Sequence, residues 1–199
     1  MRWLSAEAAW RSLPPAVANA PASQIPATAT ANDQAVAGSL KSPLADRVAA
    51  QLRLARGGVK ISPNEISWDD GKVVMVFPLD GEAVALASSS AVVDGGASTQ
   101  AIHGCPTQYL GAEYYCFYAD GNYGGRRLQF KDHPQIINFT NYGFDNQASS
   151  WVNGGGADIY VYDGYDPYAS SSIWIEFPHS QSSLVAAGNN DRASSFRAI

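Results

Sequence analysis

Residues 115–151 and 160–196 are one segment written twice, at a constant offset of 45 residues with no gap. Tyr115 corresponds to Tyr160, Tyr123 to Tyr168 and Gly143 to Gly188. The hexad Asp145-Asn146-Gln147-Ala148-Ser149-Ser150 corresponds to Asn190-Asp191-Arg192-Ala193-Ser194-Ser195. Apolar positions agree in kind: Phe117 with Tyr162, Leu128 with Ile173, Phe130 with Ile175, Trp151 with Phe196. A repeat this short cannot bury its own apolar face, so the two copies are expected to pack together as one domain. The oxygen-rich side chains recur at the same place in each copy, which suggests a paired cation site.

Composition divides the chain. All ten tyrosines lie between Tyr109 and Tyr168, whereas the first hundred residues are rich in Ala, Ser and Pro. The aromatic, packed part is therefore 105–199. Net charge is −5, and 105–199 alone holds five Lys and Arg against nine Asp and Glu, a balance of −4. An acidic domain repels a phosphate backbone, which argues against nucleic acid as a partner. Two cysteines, Cys105 and Cys116, bracket the start of this part. Their even count and the lack of a CxxC pattern favour a disulfide in an oxidising compartment over two free thiols. Such a bridge contributes about 3 kcal/mol. At the N-terminus, Arg2 and Ala18-Asn19-Ala20 fit the ends of a secretory signal, but Glu7 and Arg11 interrupt its middle. No run of about eighteen apolar residues exists, so no membrane span is expected.

Residues 1–41 read as a flexible region containing that degenerate signal. Residues 42–80 read as a small helix-plus-hairpin unit. Ser42-Pro43 marks a helix start, with Ser as N-cap and Pro at the first helical position. Leu44, Val48 and Leu52 then lie on one face, and Gly57-Gly58 ends the helix. Val59 to Trp68 and Lys72 to Phe77 form the hairpin arms around Asp69-Asp70-Gly71. A unit of this size lacks a robust core of its own, so it either docks on the main domain or serves as a pro-segment. Residues 81–104 read as a linker. From Tyr114 onward, short strands alternate with turns, four strands per repeat, as in a pair of Greek keys forming an all-β sandwich.

Tyr118-Ala-Asp-Gly-Asn-Tyr123-Gly-Gly125 resembles the aromatic-x4-aromatic-x-Gly signature of the βγ-crystallin superfamily. A hairpin folded over on itself needs a positive φ, where Gly costs least. In the second repeat Tyr168 remains but Ser170 replaces the glycine, so that hairpin is degenerate. The hexads resemble the family's calcium motif, Asn/Asp-Asn/Asp-x-x-Ser/Thr-Ser. The resemblance implies two Ca²⁺ sites sharing ligands across the motifs Asp145, Asn146, Gln147, Ser149 and Asn190, Asp191, Arg192, Ser194. It assigns the side chains of Asn146 and Asp191, the hydroxyls of Ser149 and Ser194, and the carbonyls of Gln147 and Arg192. Hard oxygens of this kind suit calcium, and the few carboxylates imply roughly 10⁻⁵–10⁻³ M affinity.

Cys105-Pro106, Cys116-Phe117-Tyr118, Tyr123 to Leu128, Tyr142-Gly143-Phe144 and Ser149 to Asn153 further resemble a narrower group. These are secreted actinobacterial single-domain βγ-crystallins regarded as peptidase inhibitors, named after a metalloproteinase inhibitor. The resemblance implies a secreted, monomeric, non-enzymatic inhibitor with an extracellular protease as partner and no identified inhibitory loop. The segments His133–Asn141 and Asp163–Ser170 are candidate loops, and Arg126-Arg127 is either a solvated strand face or a site for a trypsin-like enzyme. The other two readings are a calcium-stabilised extracellular structural module and a killer-toxin-like antimicrobial. No His-Glu-x-x-His, Gly-x-Ser-x-Gly or phosphate loop occurs. His103 and Cys105 match no zinc spacing, and Trp151 and Trp174 read as core residues.

Overall fold

The computed structural model describes residues 42–89, 101–106, 113–132, 136–166 and 171–199. The expectations for residues 1–41, for Tyr168 and Ser170, and for His133 lie outside these. Helix α1 (Pro43–Leu54) starts with proline in its first turn, but Ser42 makes no cap bond. Its hydroxyl donates instead to Asp80. Leu44, Val48 and Gln51 form the buried face, and Leu52 is only half-buried. Gln51 is the unforeseen member. Its amide donates to the Tyr142 carbonyl at 2.5 Å, and Gly143, at φ 60°, has no room for a Cβ beside it.

The expected two-armed hairpin is a three-stranded meander. The first arm folds back at Pro63-Asn64, giving β1 (Val59–Ser62) and β2 (Glu65–Trp68), and β3 (Val73–Val76) follows a 3-10 turn over Asp69–Gly71. Asp69, Asp70 and Gly71 all take positive φ there. The remaining elements are β4 (Ala101–Ile102), β5 (Cys105–Pro106), β6 (Tyr114–Tyr118), β7 (Arg127–Lys131), β8 (Ile137–Asn138), β9 (Ser150–Asn153), β10 (Ile159–Tyr162), β11 (Trp174–Glu176), β12 (Ser180–Ser182) and β13 (Ser195–Ala198). The first repeat supplies β6–β9 and the second β10–β13. Each repeat lends its third strand to the other's sheet, in the orders β7-β6-β9-β12 and β11-β10-β13-β8. That exchange makes two Greek keys one body, a βγ-crystallin-type sandwich.

The N-terminal meander extends the first sheet. β3 pairs antiparallel with β7, Val73 opposite Phe130 and Val76 opposite Arg127, so seven strands run in one sheet. The unit at 42–80 and the β part thus share one core. Leu44, Val48, Ile66, Met75 and Phe77 cluster with Phe117, Phe130, Phe139 and Phe196. Phe117, fully buried, touches Phe139 at 4.9 Å and Phe196 at 5.0 Å between ring centres. Trp151 lies in this core, and Trp174 packs against it.

The expected linker at 81–104 is, over its described residues, a covering for the outer face of that sheet. Ala85 and Ser88 are buried, and Val84 bridges Gly125. The buried carboxylate of Glu65 takes the Ser89 N–H at 2.7 Å and the Ser89 hydroxyl. β4 and β5 cover the neighbouring stretch, and Cys105 is bonded to Cys116 of β6, as the cysteine arithmetic predicts. Beneath them Arg127 is fully buried. Its guanidinium donates to Ala85 O at 3.0 Å and Leu86 O at 2.8 Å, and its Nε to Gln129 at 3.3 Å. Burial lowers its pKa to about 10. The solvated-face reading of this arginine is therefore wrong. Reducing the disulfide should lower stability by about 3 kcal/mol, read as a shift of the urea midpoint with and without reductant.

Glu176 is a further buried ionisable group. It lies wholly inside, with Oε1 accepting from Trp174 Nε1 at 3.0 Å and Oε2 unpartnered. Burial raises its pKa well above the ordinary 4.5. The folded state then holds the proton more tightly than the unfolded chain, so this contribution is present below the ordinary value and is lost as pH rises through the folded one. Melting temperature should fall across that window in the wild type, and Glu176→Gln should flatten the fall.

Candidate functional site

The folded hairpin between β6 and β7 forms as its signature predicts. Tyr118 and Tyr123 meet edge to face at 5.5 Å. Gly125 has φ +68°, and a Cβ there would sit 2.7 Å from an Asp120 carboxylate oxygen. The sequence pattern gave no role to Ser150, yet it ties the hairpin down. Its hydroxyl donates to Asp120 O at 2.7 Å and accepts the Tyr123 N–H at 3.0 Å. In the second repeat the Ser195 hydroxyl donates to Gly164 O at 2.6 Å, in the loop that follows β10. The closing serine of each hexad thus bonds the loop after the first strand of its own repeat.

The two hexads face each other with pseudo-twofold geometry. Asn146 and Asp191 both have φ 56°. The Asn146 N–H reaches Ala193 O at 2.9 Å, and the Asp191 N–H reaches Ala148 O at 3.3 Å. The side chains cross in the same sense. Ser149 donates to Asp191 Oδ1 at 3.2 Å, and Ser194 donates to Asn146 Oδ1 at 3.3 Å. Asp145 and Asn190 flank these pairs. Asp145 Oδ2 accepts from Tyr165 at 2.8 Å and from Asn146 at 3.3 Å, whereas its Oδ1 is buried without a partner. The bond to Asp145 raises the Tyr165 phenol pKa. Asn190 donates to Asp191 Oδ2 at 2.7 Å.

An arginine bears on the first x position of each hexad. Arg126, whose pKa burial lowers, donates to Gln147 Oε1 and, at 3.3 Å, to Gly143 O. The Arg192 side chain turns away to Asp163 at 2.5 Å and Gly188 O at 2.8 Å. Its charge is therefore paired away from the ligand oxygens. Among the described residues no three His, Cys, Asp or Glu side chains cluster for a metal. The hexads instead offer hydroxyl, amide, carboxylate and carbonyl oxygens. That donor set fits a hard divalent cation and suits neither zinc nor copper.

Residues 99–174 match the family model of peptidase inhibitor family I36. The chain is similar to the I36 inhibitors on a βγ-crystallin fold. The match takes in the disulfide, the folded hairpin and the first hexad, and it covers less than half of the chain. Among solved structures, a βγ-crystallin from Ciona intestinalis is 20% identical, with TM-score 0.37 over 43% of this chain and 99% of that one. A βγ-crystallin domain from Clostridium beijerinckii is 19% identical, with TM-score 0.35 over 43% and 95%. One from Flavobacterium johnsoniae is 22% identical, with TM-score 0.33 over 43% and 92%. No curated protein matches. No helix among the described residues is long and apolar enough to cross a membrane.

Of the two candidate inhibitory loops, the described parts of this I36-like chain hold 136–141 and 163–166. Tyr165 is half-exposed, but its hydroxyl is bound to Asp145. Arg127 is buried and Arg126 is held against the first hexad, so neither forms the expected site for a trypsin-like enzyme.

Proposed function

We propose that the chain is a secreted inhibitor of extracellular peptidases, most consistent with metallopeptidases, carried on a calcium-binding βγ domain. The observation that carries this reading is the I36 match over the disulfide, hairpin and first hexad. The disulfide supports an oxidising compartment. A body closed by that bridge and by seven paired strands presents stiff surfaces, and a stiff surface loses little entropy on docking. The test is residual activity of a thermolysin-like metallopeptidase, subtilisin and trypsin incubated with the full chain. Saturable, stoichiometric loss of one activity is the expected result. Unchanged activity of all three contradicts the reading.

Two calcium ions are proposed at the hexads. Asn146 with Ser194 and Asp191 with Ser149 would hold them, the carbonyls of Gln147 and Arg192 would contribute, and the unpartnered Asp145 Oδ1 is a further acceptor. Calcium would supply rigidity, joining the two repeats at their facing loops. At a hundredfold excess over Kd it should add about 2.7 kcal/mol to stability. Ser149→Ala with Ser194→Ala should abolish the calcium-induced rise in melting temperature, and an undiminished rise would refute the ligand assignment. The cross-paired hexads also favour a second reading, a calcium-stabilised extracellular module, which predicts this rise and no effect on any peptidase.

A further inference from the structure

An exposed aromatic ring stands on one of the most firmly fastened turns of the molecule. Where the chain leaves β11 for β12 it crosses from one sheet to the other through Phe177, Pro178 and His179, all exposed. Phe177 is 62% exposed, against full burial for Phe117, Phe139 and Phe196. Placing a phenyl ring in water forfeits the burial that stabilises every other phenylalanine in the core.

The backbone beneath it is clamped on both sides. Asn153, itself buried, donates from Nδ2 to Glu176 O at 3.0 Å and to Ala157 O at 2.8 Å. Its Oδ1 accepts the Gly155 N–H at 3.0 Å. The Ser180 hydroxyl donates to Phe177 O at 2.5 Å, and the His179 N–H donates to Gly155 O at 3.1 Å. Gly155 cannot carry a Cβ, which would sit 2.5 Å from the Tyr115 hydroxyl, so the support packs tightly on β6. Pro178 fixes its own φ and drives Phe177 toward extended backbone. One buried asparagine thus ties the turn to the neighbouring loop, and the ring projects outward from a prepaid geometry.

Competing anchors lack this combination. Tyr165 is tethered through its hydroxyl. Among the described residues the other large apolar side chains of this exposure, Leu54, Val59, Leu184 and Ile199, are aliphatic. Arg126 and Arg127 are committed inside.

We propose that Phe177 is the anchor this chain inserts into the specificity pocket of its target. The target is then an endopeptidase whose primary pocket takes a large apolar side chain, and not one that selects Lys or Arg. The proposal rests on the peptidase-inhibitor reading and names the surface that reading leaves open. Asn153 is the positioning residue. An aromatic held in place before encounter is the kind of residue that dominates interface energetics, because its ordering entropy is already spent.

The test uses the full chain in calcium-containing buffer, with inhibition constants for thermolysin, subtilisin and trypsin and with melting temperatures alongside. Phe177→Ala should weaken inhibition of an apolar-pocket enzyme roughly tenfold or more. Its melting temperature should equal the wild type's, since the ring is largely solvated. Phe177→Leu should restore most of the loss, and Val59→Ala, at an equally exposed apolar side chain on the opposite edge of the seven-stranded sheet, should leave inhibition unchanged. Wild-type inhibition that survives Phe177→Ala overturns the anchor and leaves the inhibitor reading standing. Inhibition confined to trypsin also overturns the anchor. A wild-type chain that inhibits none of the three enzymes overturns both.

Discussion

A chain shortened to residues 101–199 is expected to melt at least roughly 15 °C below the full chain. The shortened chain keeps both Greek keys, both hexads and the disulfide. It loses β3 from the edge of β7, and with it four cross-strand partners for Arg127, Leu128, Gln129 and Phe130. It also loses Leu44, Val48, Ile66, Trp68, Met75 and Phe77 from the shared core, which leaves Phe130 and Tyr142 partly uncovered. The guanidinium of Arg127 loses both carbonyl acceptors on residues 85 and 86. Each fully buried apolar side chain is worth about 1.5–3 kcal/mol. The sum exceeds what a small domain can spare. Equal melting temperatures would return residues 42–89 to the role of a detachable pro-segment. The pro-segment expectation also predicts stronger inhibition after removal, and the shared core predicts weaker.

Arg127→Ala in the full chain is expected to lose about 3 kcal/mol or more. Two effects add. The side chain leaves a cavity under a strap that packs directly on it. Gly104 is in contact with the guanidinium, and a Cβ at Gly104 would come within 2.7 Å of Ala85 O. The Ala85 carbonyl is then left buried without its donor, which alone costs about 1–3 kcal/mol. Arg127→Lys should recover only part of the loss, because a single ammonium cannot reproduce the fork that reaches two carbonyls and Gln129. The check is the denaturant midpoint of each variant against wild type. A variant within about 0.5 kcal/mol of wild type would show that the strap is held by its own packing alone.

Much of the β part was legible because its signals are local. Tyr118, Tyr123 and Gly125 specify a hairpin through φ and ring packing inside eight residues. The hexads specify their own turns, with Asn146 and Asp191 in the left-handed region. The cysteine pair needed only arithmetic. The strap was not legible, since in residues 81–89 the large apolar side chains, Val84 and Leu86, are exposed and the small Ala85 and Ser88 are buried, and their order depends on contacts with Arg127 and Glu65 that are distant in sequence. One signal was available. Val73 to Phe77 is an unbroken apolar run, which marks a strand covered on both faces. That run already implied that something lies over the outer face beside Arg127. The role of Asn153 was hidden for a different reason, because a side chain that bonds only to backbone groups leaves no trace in the pattern of residue types.

The most direct test is an active-site titration. A fixed amount of thermolysin-like metallopeptidase would be mixed with increasing full-length chain in millimolar calcium, and residual activity read after equilibrium. The account predicts a linear fall to zero near one equivalent, with the chain recovered intact. Full activity at tenfold excess, or digestion of the chain in its folded, calcium-bound form, would contradict it.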